Sequence, residues 1–275
     1  MVVVEGPPGP PGGVQITNIQ KSSVTLKWTD GAIHGSQINS YSVSGRTNWN
    51  QTWMNISHGI YAREIDRYTG QKEATIENVL TPWSTYEFRI SAWNSWGMGA
   101  FSAPSPRHST PPARPYIAPY NIGGGGGKIG DLTITWSPLK PDEQNGPGIY
   151  YRIFWKQKDV EVDFQSLELK EFGNTGMAVV HISADNYYTE YVVKVQAIND
   201  IGRGPISPEF VIYSAEDMPQ AAPQLVTARS FNSTALNVSW VPIDQSRKNL
   251  RGKLIGHRVS KRIPKRVSRW RMIRF

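Results

Sequence analysis

Val24-Thr25-Leu26-Lys27-Trp28 is the first of three segments that share one pattern and decide the fold. Leu132-Thr133-Ile134-Thr135-Trp136 repeats the pattern, and so does Leu236-Asn237-Val238-Ser239-Trp240. In each segment apolar and polar residues alternate, and the last residue is tryptophan. Successive side chains of a strand point to opposite faces. The alternation therefore predicts three half-buried antiparallel strands, each with its tryptophan turned towards a core.

A second repeated strand follows the first at a constant interval. Residues 86–94 and 191–199 both begin with tyrosine, alternate apolar residues, and end in asparagine shortly before a pair of glycines. The distance along the chain is 108 residues from Trp28 to Trp136, 105 from Tyr86 to Tyr191, and 104 from Trp136 to Trp240. A repeat of this size has the length of one β-sandwich domain.

Length and composition agree with an all-β chain of several domains. The 275 residues suffice for two or three domains of about 100 residues each. The 20 prolines and 25 glycines favour many short strands joined by turns. There is no cysteine, so the domains must depend on packed cores and not on disulfides.

The formal net charge of +8 is concentrated at one end of the chain. Eight basic residues and no acidic residue lie between Arg258 and Phe275, whereas the other 257 residues hold 22 of each sign. The body of the chain is therefore neutral, and its overall charge does not indicate a basic surface on the domains.

The repeated strands resemble fibronectin type III domains. Residues 80–86 are similar to the tyrosine corner of that fold, which implies that the hydroxyl of Tyr86 bonds to backbone while its ring joins the core. The second domain departs from the pattern, because Asp185 stands six residues before Tyr191, where the first domain has Leu80. We therefore expect a different corner there.

Two further segments narrow the resemblance to the contactin family. Residues 7–13 are rich in proline and glycine, and five consecutive glycines at 123–127 precede the second tryptophan strand. Together they resemble the fibronectin region of an insect contactin, with neuroglian-type molecules of the immunoglobulin superfamily as near relatives.

The resemblance implies tandem β-sandwiches, two complete and one truncated. We expect the first domain at residues 6–110, the second at 112–217 and the truncated third at 219–259, followed by a disordered basic tail at 260–275. Proline-rich stretches at 110–115 and 218–223 fit linkers. In the third domain His257 stands where the others have Tyr41 and Tyr151. Because its strands lack a facing sheet, this domain is expected not to fold.

The same resemblance implies a cell-adhesion module without catalysis. Its expected partners are other cell-surface adhesion proteins, of the immunoglobulin superfamily or the neurexin type, at septate or axo-glial junctions. The parent protein is expected on the extracellular face of the cell membrane, and this chain is expected to carry neither an export signal nor an anchor of its own. Membrane association would therefore come through other parts of the parent.

The sequence holds no pattern typical of an active site, a cofactor site or a metal site. Its five histidines lack the spacing that gathers imidazoles around a metal. They are His34, His58, His108, His181 and His257. The glycine run before Lys128 has Ile122 and Ile129 where a phosphate loop needs glycine and a hydroxyl residue. We expect it to form a flexible turn between two strands.

Four tripeptides match the acceptor sequence for N-linked glycans, at Asn50, Asn55, Asn232 and Asn237. Strand alternation turns Asn237 outward, opposite to Val238 and Trp240. Asn50 and Asn55 precede no periodic strand, so they are expected in an exposed connection.

Two alternatives stay open at this level. The basic tail could bind nucleic acid or an anionic membrane, with Trp270 and Phe275 stacking or inserting. A chain of this kind could also be the accessory module of a carbohydrate-active enzyme. Within the first domain, Trp49, Trp53, Trp93 and Trp96 exceed what one core needs, so they either anchor an interface or cover a sandwich edge.

Overall fold

The three tryptophan segments form strands in a computed structural model that describes residues 5–261. In the described part, two sandwiches follow one another and a hairpin comes after them. The predicted all-β class is confirmed: besides strands, the described residues hold one 3₁₀ turn, Lys170–Phe172, and one short helix, α1, Arg247–Leu250.

The first sandwich consists of two antiparallel sheets. One sheet has the strand order β1-β2-β6-β5, and the other has the order β4-β3-β7-β8 with β9 added beside β7. The strands are β1 Gly12–Ile19, β2 Val24–Thr29, β3 Ser40–Thr47, β4 Met54–Ile60, β5 Arg63–Asp66, β6 Gln71–Ile76, β7 Thr85–Asn94, β8 Gly97–Met98 and β9 His108–Ser109.

Alternation along β2 and β7 builds the core between these sheets. Val24, Leu26 and Trp28 are buried on β2, as predicted, and they face Phe88 and Ile90 of β7 in one cluster. Trp28 is only 1% exposed, and its ring meets the ring of Tyr41 edge-on at 4.9 Å. The core therefore rests on apolar packing, in agreement with a domain that has no disulfide.

The second sandwich repeats this plan. Its sheets have the orders β10-β11-β14 and β13-β12-β15-β16, with β17 beside β15. The strands are β10 Tyr120–Gly124, β11 Asp131–Ser137, β12 Tyr150–Gln157, β13 Gln165–Glu168, β14 Met177–His181, β15 Glu190–Asn199, β16 Gly202–Ile206 and β17 Phe210–Tyr213. Trp136 is buried against Tyr151, with the ring centres 5.3 Å apart.

The glycine run is only partly the turn that the sequence predicts. Gly123 and Gly124 belong to β10 and pair with β11, and only the later glycines lie in the connection. Gly124 has φ +153°, and a Cβ there would lie 2.1 Å from the carbonyl oxygen of Thr133. Glycine is therefore required for the close approach of two strands, in addition to the turn.

The third segment forms a hairpin without a facing sheet in the described residues. Strand β18, Gln224–Ser230, is exposed along its whole length, and β19, Leu236–Val241, is at best half-buried. The predicted correspondence of His257 holds, because its ring lies 5.3 Å from the ring of Trp240. Residues 262–275 of the predicted basic tail lie outside the described residues.

The two junctions between the three segments are built differently. In the second, the Arg247 guanidinium donates to the carbonyl oxygens of Asp185 and Tyr187, both at 2.9 Å, and Arg251 pairs with Asp217 at 2.5 Å. In the first, the backbone of Ala113 bonds to the second sandwich only. Within residues 5–261, no hydrogen bond or ion pair joins the first sandwich directly to the second.

Candidate interaction surface and glycosylation sites

The outer face of the sheet containing β3 and β7 is covered by stacked cations and aromatic rings. Two guanidinium groups stack on the ring of Trp53, with Arg46 at 4.6 Å and Arg89 at 4.5 Å from its ring centre. Arg89 also lies 4.0 Å from the ring of Phe101. These contacts leave Trp53 half-buried, so this tryptophan covers the sheet and is not a free anchor.

One carboxylate, that of Glu87, forms ion pairs on this sheet face. Glu87 contacts Arg46 at 2.6 Å and Arg107 at 3.1 Å on the same sheet face. The hydrogen bond from Arg46 is the main cause that lowers the pKa of Glu87 below its ordinary 4.5. The carboxylate is therefore ionised throughout the neutral range.

The second sandwich covers its equivalent face in the same way. Lys194 stands three residues after Tyr191, as Arg89 stands three after Tyr86, and its ammonium lies 3.7 Å from the ring centre of Phe164. This pairing was not predicted from the sequence. The basic residue at the third position after each tyrosine was its only signal in the sequence.

An aromatic edge, which we define as Trp93, Trp96 and Met98, remains exposed at one end of the first sandwich. Trp96 is 57% exposed in the β7–β8 turn, where its backbone N–H donates to Oδ1 of Asn94 at 2.9 Å. Trp93 is partly exposed, and its indole N–H donates to Oγ of Ser42 at 2.8 Å. The first bond fixes the backbone that carries Trp96, and the second holds the ring of Trp93 in place at the surface.

The closing asparagine of each long strand anchors this end of its sandwich. The amide of Asn94 donates to the carbonyl oxygens of Gly6 and Ile33, and that of Asn199 donates to Ala113 and Gln144. The asparagine that ends each repeated strand therefore joins the segment by which the chain enters the sandwich, at Gly6 or Ala113, to the turn that follows the strand.

Trp49 lies at the opposite end of the first sandwich, beside the linker. Its ring centre is 6.0 Å from that of Trp83. The backbone N–H of Trp83 donates to the carbonyl oxygen of Pro111 at 3.3 Å. Of the four surplus tryptophans, Trp53 covers a sheet and Trp49 lies at a domain junction, whereas Trp93 and Trp96 stay available at the surface.

The first two candidate glycan acceptors lie close together. Asn50 is exposed in the connection between β3 and β4, as predicted. The prediction for Asn55 is wrong in one respect: Asn55 is exposed, but it lies in β4, opposite Ser44 of β3. It was missed because β4 is an edge strand whose alternation is weak in the sequence.

The other two acceptors lie in the hairpin of the third segment. Asn232 is in its turn, where Oδ1 accepts the N–H of Thr234 at 2.9 Å. Asn237 is exposed in β19 opposite Arg229, on the side that the alternation predicts. The structure therefore places the four asparagines in two pairs, and all four side chains are exposed.

Residues 5–261 contain no cluster of three or more histidine, cysteine, aspartate or glutamate side chains arranged to hold a metal ion. His181 meets a single acidic partner, Asp131, at 2.7 Å. Over the same residues, none of the helical segments has the length and apolar character that crossing a bilayer requires.

Comparison with known proteins identifies the repeated unit. The family model described as fibronectin type III domain matches residues 9–108 and 128–213. A crystal structure of the chicken CNTN1 FN1-FN3 domains superposes with a TM-score of 0.67 at 34% identity, covering 88% of this chain and 78% of that one. The predicted tandem sandwiches thus have a solved counterpart.

Contactins are among the similar curated sequences. Contactin of Drosophila melanogaster is 57% identical over 94% of this chain, and Contactin-2 of Mus musculus is 36% identical over the same share. This chain spans only 18% and 24% of those two proteins, respectively. Neither these names nor the family description supports nucleic-acid or anionic-membrane binding through the basic tail. The chain belongs to the fibronectin type III domain family, and its relatives within that family include contactins.

Proposed function

We propose that this chain is a cell-adhesion module of an extracellular protein of the contactin type, which presents contact surfaces and performs no catalysis. Its relatives support this assignment, and so does the use of both sandwich interiors for apolar packing. We place the module at residues 6–110, 112–217 and 219–259, on the outer face of the cell membrane in its parent protein.

The aromatic edge is the observation that carries the proposal. Large exposed apolar side chains are favoured anchors in protein interfaces, above all when they are held before binding. Trp96 is exposed in a turn fixed by Asn94, and Trp93 is fixed by Ser42. The edge therefore offers a partner one ring that is held by its own hydrogen bond and a second ring that is carried by a fixed turn.

The chemistry of this edge favours an apolar contact with another protein. Outside the segment from Arg258 onwards the chain carries equal numbers of acidic and basic residues, so its net charge does not attract a charged ligand to the sandwiches. We propose another cell-surface adhesion protein as the partner, of the immunoglobulin superfamily or the neurexin type.

Replacing Trp96 in the full parent protein tests this proposal. Trp96→Ala should weaken adhesion between cells that display the parent and cells that display its partner, while leaving surface expression unchanged. Tyr68→Ala is the matched control, because Tyr68 is 97% exposed in the β5–β6 turn, at the other sheet of the same sandwich. Equal adhesion by both variants and by the parent would contradict the proposal that the aromatic edge contacts the partner.

We also propose Asn50, Asn55, Asn232 and Asn237 as acceptors of N-linked glycans in the exported protein. Their exposed side chains support this assignment, and for Asn50 and Asn232 so does the N–H that Oδ1 accepts from the threonine two residues on. Export through the secretory pathway is the condition for their use.

A further inference from the structure

The loop that carries Asn50 is held by several hydrogen bonds. Oγ1 of Thr47 accepts the N–H of Asn50 at 2.9 Å, and the carbonyl oxygen of Thr47 accepts the side-chain amide of Gln51 at 2.8 Å. Oδ1 of Asn50 accepts the N–H of Thr52 at 2.9 Å. Oδ1 is turned back to the backbone, and Nδ2, on the other side of the amide, donates to the sulfur of Met54 at 3.3 Å. Nδ2 is the atom that would carry a sugar.

A groove of about 320 Å³ opens beside this amide, between the first and second sandwiches. Asn50 itself, Trp49 and Met54 line its wall on the first sandwich. Lys140, Pro141 and Asp142 line the wall on the second. The acceptor thus lies on the boundary of a space that both domains share.

The two walls offer what a sugar binds. Trp49 is 41% exposed, and a pyranose ring places its C–H groups against such an aromatic face. Across the groove, the ammonium of Lys140 and the carboxylate of Asp142 are exposed and make no hydrogen bond or ion pair within residues 5–261. These groups could bond to sugar hydroxyls without losing any present partner.

The junction itself lacks direct polar contacts. The first sandwich and the second are joined through residues 111–115, and the described residues supply no hydrogen bond or ion pair that bypasses this linker. Trp83, next to the linker, has φ +54°, a left-handed conformation that is uncommon for a bulky side chain. The loops at this end are thus fixed individually, whereas the angle between the sandwiches is not held by polar bonds.

We propose that the first sugars of a glycan on Asn50 lie in this groove against Trp49 and restrict the angle between the first two sandwiches. The inference rests on the proposed export and glycosylation. The glycan acts as a brace between domains: its covalent bond fixes it to one wall, and its hydroxyls contact the other. A glycan on Asn55 lies outside the groove and has no such role.

The absence of cysteine makes the angle measurable. Tyr68→Cys in the first sandwich and Phe172→Cys in the second provide two exposed sites for spin labels in the full chain, 97% and 68% exposed in the unlabelled protein. The full chain is secreted from eukaryotic cells behind an export leader, and pulsed electron paramagnetic resonance gives the distribution of label distances. Glycopeptide mass spectrometry of the same sample reports occupancy at all four acceptors.

Two matched variants separate the brace from other glycans. Thr52→Ala removes the Asn50 acceptor but keeps the backbone N–H that Asn50 binds, and Ser57→Ala removes the Asn55 acceptor instead. We expect Thr52→Ala to broaden the distance distribution to that of protein made without glycans in bacteria, and Ser57→Ala to leave it unchanged. Trimming each glycan to its first sugar should keep the distribution narrow.

Three results would overturn the inference. They are an unoccupied Asn50, a secreted Thr52→Ala protein with the parent's distribution, and an equal broadening by both variants. Thr52→Ala and the parent should also agree when both are made in bacteria, and a difference there would assign the effect to the side chain of Thr52. The adhesion proposal does not depend on these outcomes, because its test reads cell contact and not the angle between domains.

Discussion

At the scale of single residues, each repeat is centred on a tryptophan that meets a second ring. Trp28 meets Tyr41, Trp136 meets Tyr151 and Trp240 meets His257, at centre distances between 4.9 and 5.3 Å. The first two tryptophans are buried between two sheets, but the third is only half-buried. The same local pairing therefore exists with and without a completed core.

Truncation of either buried tryptophan should destabilise one sandwich only. Trp28→Ala and Trp136→Ala should each lower the free energy of unfolding of their own domain by about 3 to 5 kcal/mol, as large aromatic truncations in cores do. Chemical denaturation, followed by hydrogen exchange in each domain, measures this. A loss below about 1 kcal/mol would contradict the observed burial.

Neutralising Glu87 should make the stability of the first sandwich less dependent on pH. Its pKa is lowered by Arg46, so the folded state gains stability from the carboxylate above the ordinary pKa of 4.5 and loses it as the pH falls through the lowered value. Glu87→Gln should therefore be less stable than the parent at pH 7, with a gap that closes in acid. Urea denaturation at pH 7 and in acid measures this difference in stability between the variant and the parent. A difference that is larger in acid would contradict the prediction.

Residue roles were predictable where one strand defined them. The burial of Trp28 and Trp136 followed from alternation, and the tyrosine corner is confirmed by the bond from the N–H of Thr81 to the hydroxyl of Tyr86 at 2.9 Å. Within residues 5–261 no backbone N–H bonds to the hydroxyl of Tyr191 in this way, as the departure at Asp185 led us to expect. The stack of Trp53 on Arg46 and Arg89 joins distant residues, so no local pattern indicated it.

At the scale of elements, the hairpin of β18 and β19 differs from the sandwich strands that it resembles. Its ladder is formed, yet Leu225, Val226 and Leu236 remain largely exposed, and a two-stranded hairpin is marginal in water. The sequence pattern of β19 is as good as that of β2. Burial requires a facing sheet, which a strand pattern alone cannot supply.

Hydrogen exchange should therefore separate these elements. Backbone amides of β18 and β19 should exchange at nearly unprotected rates in the monomer, whereas those of β2 and β11 should be protected by the full stability of their domains. Mass spectrometry of the whole chain gives both in one sample. Slow exchange from Leu236 to Val241 without a partner would show that the third segment folds independently.

At the scale of the whole molecule, the sequence predicted the number and order of domains but not their junctions. The repeat length directly indicates the number and order of the domains. Arg247 and Arg251 form the polar contacts at the second junction, and the groove beside Asn50 lies at the first. Both depend on contacts between domains, and the residues that make these contacts follow no repeat. The linkers are marked by proline, but the angle at each linker depends on side chains that only the folded pair brings together.

The most direct test of the adhesion account is binding of the secreted chain, made multivalent, to cells that each display one immunoglobulin-superfamily or neurexin-type protein. The account predicts binding to at least one of them, with little dependence on salt and no loss when residues 262–275 are removed. Binding to RNA or anionic vesicles alone, weakened by salt and abolished by that removal, would contradict it and assign the function to the basic tail.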